Sequence, residues 1–335
     1  MSDHVEADLR GMQETVTPVD LNGPQFVRLR NIPPHWLPEP PPRPLSSLIL
    51  AIGLFLATAL STLAAGAQFA AAYSAGHAPD FDNFFAAYFR PFSEPRLFLA
   101  GIPFAATLLW ILLAHELGHF FACRYYRIDA TYPYFVPAPT LIGTLGAFIR
   151  IRSPIMNRRA LFDMAFAGPA VGFLFAVPAL AIAIAHSKIV FAGPAPSSLV
   201  FGQPLIEWLL EAWLRPGVPH SILLLHPIGR AAWVGLFATA LNLLPAGQLD
   251  GGHILYSLTS RWHKVITIGV AVALVPLAVF FWWGWLMWAG LLLAIAFRHP
   301  PLIDRWEPLD RRRRILAAVA LGIFVLCFMP APFVV

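Results

Sequence analysis

Leu112-Leu113-Ala114-His115-Glu116-Leu117-Gly118-His119-Phe120-Phe121 decides how the rest of the chain is read. A His-Glu-x-x-His cluster on a helix puts His115 and His119 four residues apart, on one face and one turn above the other. That spacing lets two imidazoles reach one Zn²⁺ ion and places Glu116 to take a proton from water held there. The flanks on both sides are apolar and offer no soluble polar face, so the cluster lies within a membrane-spanning run. Ionisable groups are costly in hydrocarbon and mark function there.

Composition supports that setting. The 335 residues are 58% hydrophobic and 12% charged, with a mean hydropathy of +0.66. Soluble domains carry about twice that charged fraction. The fold class is therefore an all-α polytopic membrane protein, with the lipid bilayer as its surroundings. The net charge of +5 comes from arginines clustered between apolar runs, as topology signals are. No basic stripe supports a nucleic-acid partner. Cys123 and Cys327 have neither metal-type nor disulfide spacing and read as packing residues. No secretory signal peptide opens the chain. Residues 1–45 read as a polar, proline-rich cytoplasmic tail, ending in Pro38 and Pro40-Pro41-Pro42. Residues 46–335 read as a transmembrane domain.

The apolar runs are residues 48–72, 97–121, 160–185, 228–244, 265–297 and 315–329. Trp282-Trp283-Gly284-Trp285 splits the fifth into two short helices at an interfacial turn, which gives about seven crossings. Gly168-Pro169 and Pro178 are expected to kink the third run. Short surface helices are expected near Phe84–Phe92 and over residues 205–213. Between the second and third runs, prolines forbid a continuous helix, and the alternation over residues 147–152 predicts a strand. Gly143 and Gly146 permit tight turns or close backbone approach. Nearly every Lys and Arg falls in the tail, residues 123–160, residues 261–264 or residues 298–314. That distribution places these segments and the N-terminus in the cytoplasm, at an inner or plasma membrane if the cell is bacterial.

A catalytic zinc needs a third protein ligand, with the fourth position left for water. Asp250 is the candidate, in an apolar setting between Pro245-Ala246-Gly247 and Gly251-Gly252. It is expected on locally unwound chain, which membranes tolerate only where protein or a cavity covers it. Depth is compatible. His119 lies five residues before Arg124, roughly 7–8 Å, and Asp250 eleven before Arg261, roughly 16 Å if helical.

His115-Glu116-x-x-His119, followed in a later span by Asn242-x-x-Pro245-x₄-Asp250-Gly251, resembles the site-2 protease family of intramembrane zinc metalloproteases. The resemblance covers about residues 97–260 and implies a three-helix catalytic core. It implies that His115, His119 and Asp250 bind one Zn²⁺, that Glu116 is the general base, and that Asn242 lies near the substrate backbone. The segment bearing Gly143 and Gly146 resembles the family's membrane-associated β-segment, an edge for an unwound transmembrane substrate. No stretch is long enough for the PDZ domain that several members carry. The implied activity is zinc-dependent cleavage of membrane-protein substrates in or near their transmembrane segments. Three other readings stand beside it: an ion or proton transporter using the same cluster, a catalytically dead binding scaffold, and a different membrane zinc protease whose third ligand is Glu207 or Glu211. His253 reads either as a group behind the metal ligands or as a polar residue at a helix end.

Overall fold

The computed structural model describes residue 42 and residues 44–77, 84–155, 157–190, 200–295 and 308–334. The expected tail over residues 1–45 lies almost wholly outside the described residues. Three long helices dominate: α1 (Leu45–Ala75), α3 (Leu97–Tyr125) and α4 (Arg158–His186), of 31, 29 and 29 residues. At ~1.5 Å per residue each exceeds 40 Å, more than the ~30 Å hydrocarbon thickness. Together with α8 (His263–Phe280) they are the four described helices long and apolar enough to cross a membrane. The remaining expected crossings are shorter helices: α6 (Pro227–Asn242), α9 (Gly284–Ile295) and α10 (Arg311–Cys327), of 16, 12 and 17 residues. Short helices α2 (Phe84–Ser93) and α5 (Leu205–Leu214) occupy the connections where surface helices were expected, and α7 (Asp250–Leu258) follows α6.

The membrane-length helices and α6 are nearly uniform in polarity around their circumference, so packing rather than amphipathicity sets their faces. α3 packs against α1, α4 and α6, and α4 also packs against α6. Ile111 of α3, Phe162, Ala165, Ala176 and Leu180 of α4, and Ala232, Leu236 and Ala240 of α6 form one buried cluster at this junction. α8 and α9 form the hairpin expected at the tryptophans, closed around Ala271, Leu274, Trp285 and Leu292. Trp285 Nε1 donates to the Pro330 carbonyl at 2.7 Å. Cys123 and Cys327 are both buried, as packing residues should be.

Two readings are revised. The strand lies earlier than the alternation over residues 147–152 suggested: β1 (Tyr134–Pro137) pairs antiparallel with β2 (Thr144–Phe148). Gly143, at φ 77°, closes the intervening turn, and Ala138 N donates to its carbonyl. The turn therefore fixes where pairing starts, and Ile151 keeps only an isolated bridge to Ala130. Second, the four arginines at 311–314, grouped above with the arginine-rich segment 298–314 between apolar runs, belong to a helix. Asp310 caps α10, its Oδ1 accepting from Arg313 N at 2.8 Å, so the helix begins at Arg311. α4 runs as one helix through Pro169 and Pro178. The remaining small pairings are β3 (Lys188–Ile189) with β5 (Leu223–Leu224) and β4 (Val200–Phe201) with β6 (Phe333–Val334).

Arg313 joins three helices at one end of the core. Its Nε donates to Asp163 Oδ1 of α4 at 2.8 Å, Asp163 also accepts from the Tyr126 hydroxyl beyond α3, and Asp310 takes the other arm of the guanidinium. Arg313→Ala strands a partly buried carboxylate, which costs about 2–3 kcal/mol after allowance for solvent access. The expected outcome is a lowered unfolding midpoint in detergent, with Asp163→Asn partly restoring it in the double variant.

Candidate metal centre

His115 and His119 sit on consecutive turns of α3, and both are buried against α4. Their Nε2 atoms are 3.1 Å apart. Asp250 Oδ2 lies 3.4 Å from His115 Nε2 and 3.3 Å from His119 Nε2. For a tetrahedral zinc with bonds near 2.0–2.1 Å, neighbouring donors stand about 3.3 Å apart. The three atoms therefore form one triangular face of such a site, and the chemistry of two imidazoles and a carboxylate suits the ion. Glu116 brings a carboxylate oxygen within 4.8 Å of the imidazole donors.

His119 is held from behind. His119 Nδ1 is 2.8 Å from the Met164 carbonyl of α4. A carbonyl only accepts, so Nδ1 carries the proton and the Nε2 lone pair faces His115 and Asp250. Asn242, the last residue of α6, sets its side-chain Nδ2 3.3 Å from His115 Nε2. The Ile149 backbone, just past β2, faces the Glu116 carboxylate across the cavity lining and acts on it electrostatically.

Asp250 was expected on unwound chain. It is instead the first residue of α7, and the unwound segment is the turn just before it. A carboxylate there benefits from the exposed N–H groups of a helix start. Gly247 takes φ 59° in that turn, its N–H donates to Thr267 Oγ1 at 3.1 Å, and its carbonyl lies 3.1 Å from His263 Nε2. α8 thus braces the turn that presents Asp250. Gly251 and Gly252 abut the Leu243 and Ala246 carbonyls so closely that a Cβ would fall 2.1 and 2.5 Å from them, the close approach expected of that pair.

A cavity of about 230 Å³ opens onto the cluster. His115, Glu116, His119, Asn242 and Asp250 line it, with Ala147, Phe148, Ile149 and Ile151 along one wall and Gln248 and His253 along another. Gly143 and Gly146 are not among its lining residues. Gly143 packs on α1, with a Cβ position 2.5 Å from the Ser61 carbonyl and its own carbonyl accepting from Ser61 Oγ. Gly146, at φ 103°, has open space where a Cβ would stand. Glu207 and Glu211, considered as third ligands, are grouped instead with His220.

Sequence reading missed the wall behind the histidines. A Cβ at Gly168 would lie 2.1 Å from His119 Nε2, and one at Gly172 3.0 Å from His115 Nδ1. The two glycines are four apart on α4, a small-xxx-small pattern that marks close helix packing in membranes. That pattern was visible as Gly168-Pro-Ala-Val-Gly172, of which only Gly168-Pro169 was read, as a kink. Gly168→Ala is expected to displace the His119 ring and remove the bound zinc, counted by elemental analysis of the purified chain. Ala170→Gly on the same helix should keep it.

The sequence profile of peptidase family M50 matches residues 103–283, which contain all of these groups. Among curated proteins, the probable zinc metalloprotease EGY1, chloroplastic, of Arabidopsis thaliana is 32% identical over 69% of this chain and 43% of its own length. The Arabidopsis probable zinc metalloprotease EGY2, chloroplastic, is 31% identical over 72% and 44%. EGY1 of Oryza sativa subsp. japonica is 28% identical over 87% and 52%. The chain thus spans about half the length of these relatives. No solved structure matches it significantly. The matched family and the relatives' names make Zn²⁺ the cofactor, and the apolar helices make the chain an integral membrane protein. More than half of the chain, including both motifs, fits one profile: it belongs to peptidase family M50, the site-2 protease family.

Proposed function

We propose that the chain is an intramembrane zinc endopeptidase that hydrolyses peptide bonds in or near transmembrane segments of protein substrates. His115, His119 and Asp250 hold the metal, and Glu116 is the general base. The observation that supports this reading is the meeting of donors from α3 and α7 at zinc-compatible separations, with Glu116 beside them in an open cavity. When bound, zinc polarises a carbonyl oxygen and lowers the pKa of water towards neutrality.

The chain's own residues do the rest. Glu116 is 5% exposed and faces the Ile149 backbone, so its carboxylate is in place before substrate arrives. It accepts the proton of the attacking water and passes it to the leaving amine. Asn242, beside His115, supplies an amide N–H for the substrate carbonyl as negative charge develops there. Residues 147–151 form the cavity wall nearest Glu116, and their backbone offers an edge to an extended substrate strand. Gly143 and Gly146 contribute through that edge, the first by seating the hairpin on α1 and the second by its backbone conformation. A helical substrate has its carbonyls already hydrogen-bonded, so segments with helix-weakening residues near the cut are favoured.

The catalytic core is residues 97–260 within a membrane domain of residues 46–335, preceded by a cytoplasmic tail. With seven crossings, the arginine-rich connections face the cytoplasm, and the centre lies a little inside that face, where water arrives. The family match favours hydrolysis over an ion path through the same residues.

Glu116→Gln is expected to lower cleavage of a reconstituted membrane substrate by 10²–10⁴-fold, the usual worth of a general base, with zinc content unchanged. Undiminished cleavage would remove Glu116 from that role, and zinc flux into proteoliposomes without cleavage would support the ion path. Asp250→Ala is expected to lose one zinc equivalent along with activity. Retention of that equivalent would take Asp250 out of the ligand set.

A further inference from the structure

A second group of ionisable side chains lies far from the catalytic centre. α5 places Glu207 and Glu211 one turn apart on one face, and the 3₁₀ turn His220–Ile222 brings His220 against them. Their donor atoms all lie within 4.8 Å of one another. α5 is tied to the C-terminal end of α4, where Arg215 Nε donates to the Ile184 carbonyl. His119 contacts α4 at Gly168, sixteen residues earlier, so the two clusters are separated by about 24 Å of helix.

Burial makes this group costly. Glu207 is 1% exposed and Glu211 5%. Glu211 is well served: the Gln203 amide donates to Oε2, and His220 Nδ1 lies 3.0 Å from both oxygens. Glu207 is not, because its Oε2 is buried with no hydrogen-bond partner among the described residues. An unsatisfied buried carboxylate oxygen carries its full desolvation penalty. Two basic groups face the pair among the described residues: His220, set against Glu211, and Arg230 of α6, which acts electrostatically on both carboxylates while its guanidinium lies 4.4 Å above the Phe201 ring. Neither gives the Glu207 Oε2 atom a hydrogen-bond partner.

We infer that Glu207, Glu211 and His220 form a second, non-catalytic site for a divalent cation of the zinc class. Two carboxylates and an imidazole form a donor set that Zn²⁺ accepts. The ion gives the orphaned Glu207 oxygen a partner. The side chain of His220 is 35% exposed, which gives the ion a way in. Once bound, the ion clamps α5 to the turn that leads into β5 and α6. It stabilises the end of the α4–α6 pair remote from His115 and His119, without touching the reacting atoms.

The test is a zinc count by elemental mass spectrometry on the full chain in nanodiscs, equilibrated with Zn²⁺ alone at pH 8. Two equivalents are expected in the wild type, one in Glu207→Gln, and one in the His115→Ala/His119→Ala variant. In that double variant, added Zn²⁺ should also raise the unfolding midpoint. His220→Ala alters a half-exposed position and covers the case in which Glu207→Gln does not fold. It should raise the Zn²⁺ concentration needed for the second equivalent by about tenfold or more. A single equivalent in the wild type with none in the double histidine variant overturns the proposal. So does a second equivalent that survives both Glu207→Gln and His220→Ala. In either case the cluster is held by protons and Arg230 alone.

Discussion

In the proposed function, two imidazoles and a carboxylate set among apolar helices share one cation, and much of this architecture serves that arrangement. Asp250 Oδ2 stands 3.3–3.4 Å from both Nε2 atoms, a separation that wastes the attraction of a charged pair but suits donors sharing one ion. In hydrocarbon the desolvation of such groups is repaid only by strong, well-placed charge. The constraint reaches the helices. α3 has to present one face to the ion over two turns, α4 has to come close enough to hold His119 by a backbone carbonyl, and the chain after α6 has to return a carboxylate to the same point. Gly168 and Gly172 meet the second demand, and the braced turn before α7 meets the third.

The same geometry links metal holding to substrate handling. The β1–β2 hairpin is anchored on α1 through Ser61 and Gly143, and the chain beyond β2 passes along the cavity to Glu116. In the proposed function, movement of that edge on substrate entry is felt by the base through Ile149. Substrate binding and base orientation are then parts of one contact. At the other end of α4, the buried Glu207–Glu211–His220 group poses the same electrostatic problem in miniature, with Arg230 as a partial answer.

Much of this was legible in the residues, because the informative signals were local. Four-residue histidine spacing, long apolar runs and a carboxylate between helix breakers each follow from the period of a helix or the cost of charge in lipid. The tryptophan turn between α8 and α9 and the short helices α2 and α5 were visible for the same reason. What escaped reading depends on partners distant in sequence. The strand begins at Thr144 because Gly143 turns against Ser61, more than eighty residues away, and periodicity within the strand carries no trace of that. α10 begins at Arg311 because Asp310 caps it and Asp163 neutralises Arg313; a run of four arginines alone looks like loop. Asp250 was placed in the right region and assigned the wrong local structure, since Pro245 and Gly247 break α6 without preventing a new helix from starting three residues after Gly247. Gly168 was read with Pro169 as a kink and Gly172 was passed over, whereas the use of both lies in the missing side chain.

The most direct test of the central claim is the first coordination shell of zinc in the purified chain loaded with a single equivalent, measured by X-ray absorption at the zinc edge. The account predicts two imidazole nitrogens and carboxylate or water oxygen at about 2.0–2.1 Å, with no sulfur. A sulfur neighbour near 2.3 Å, or a shell of oxygen without the outer scattering of imidazole rings, would contradict it.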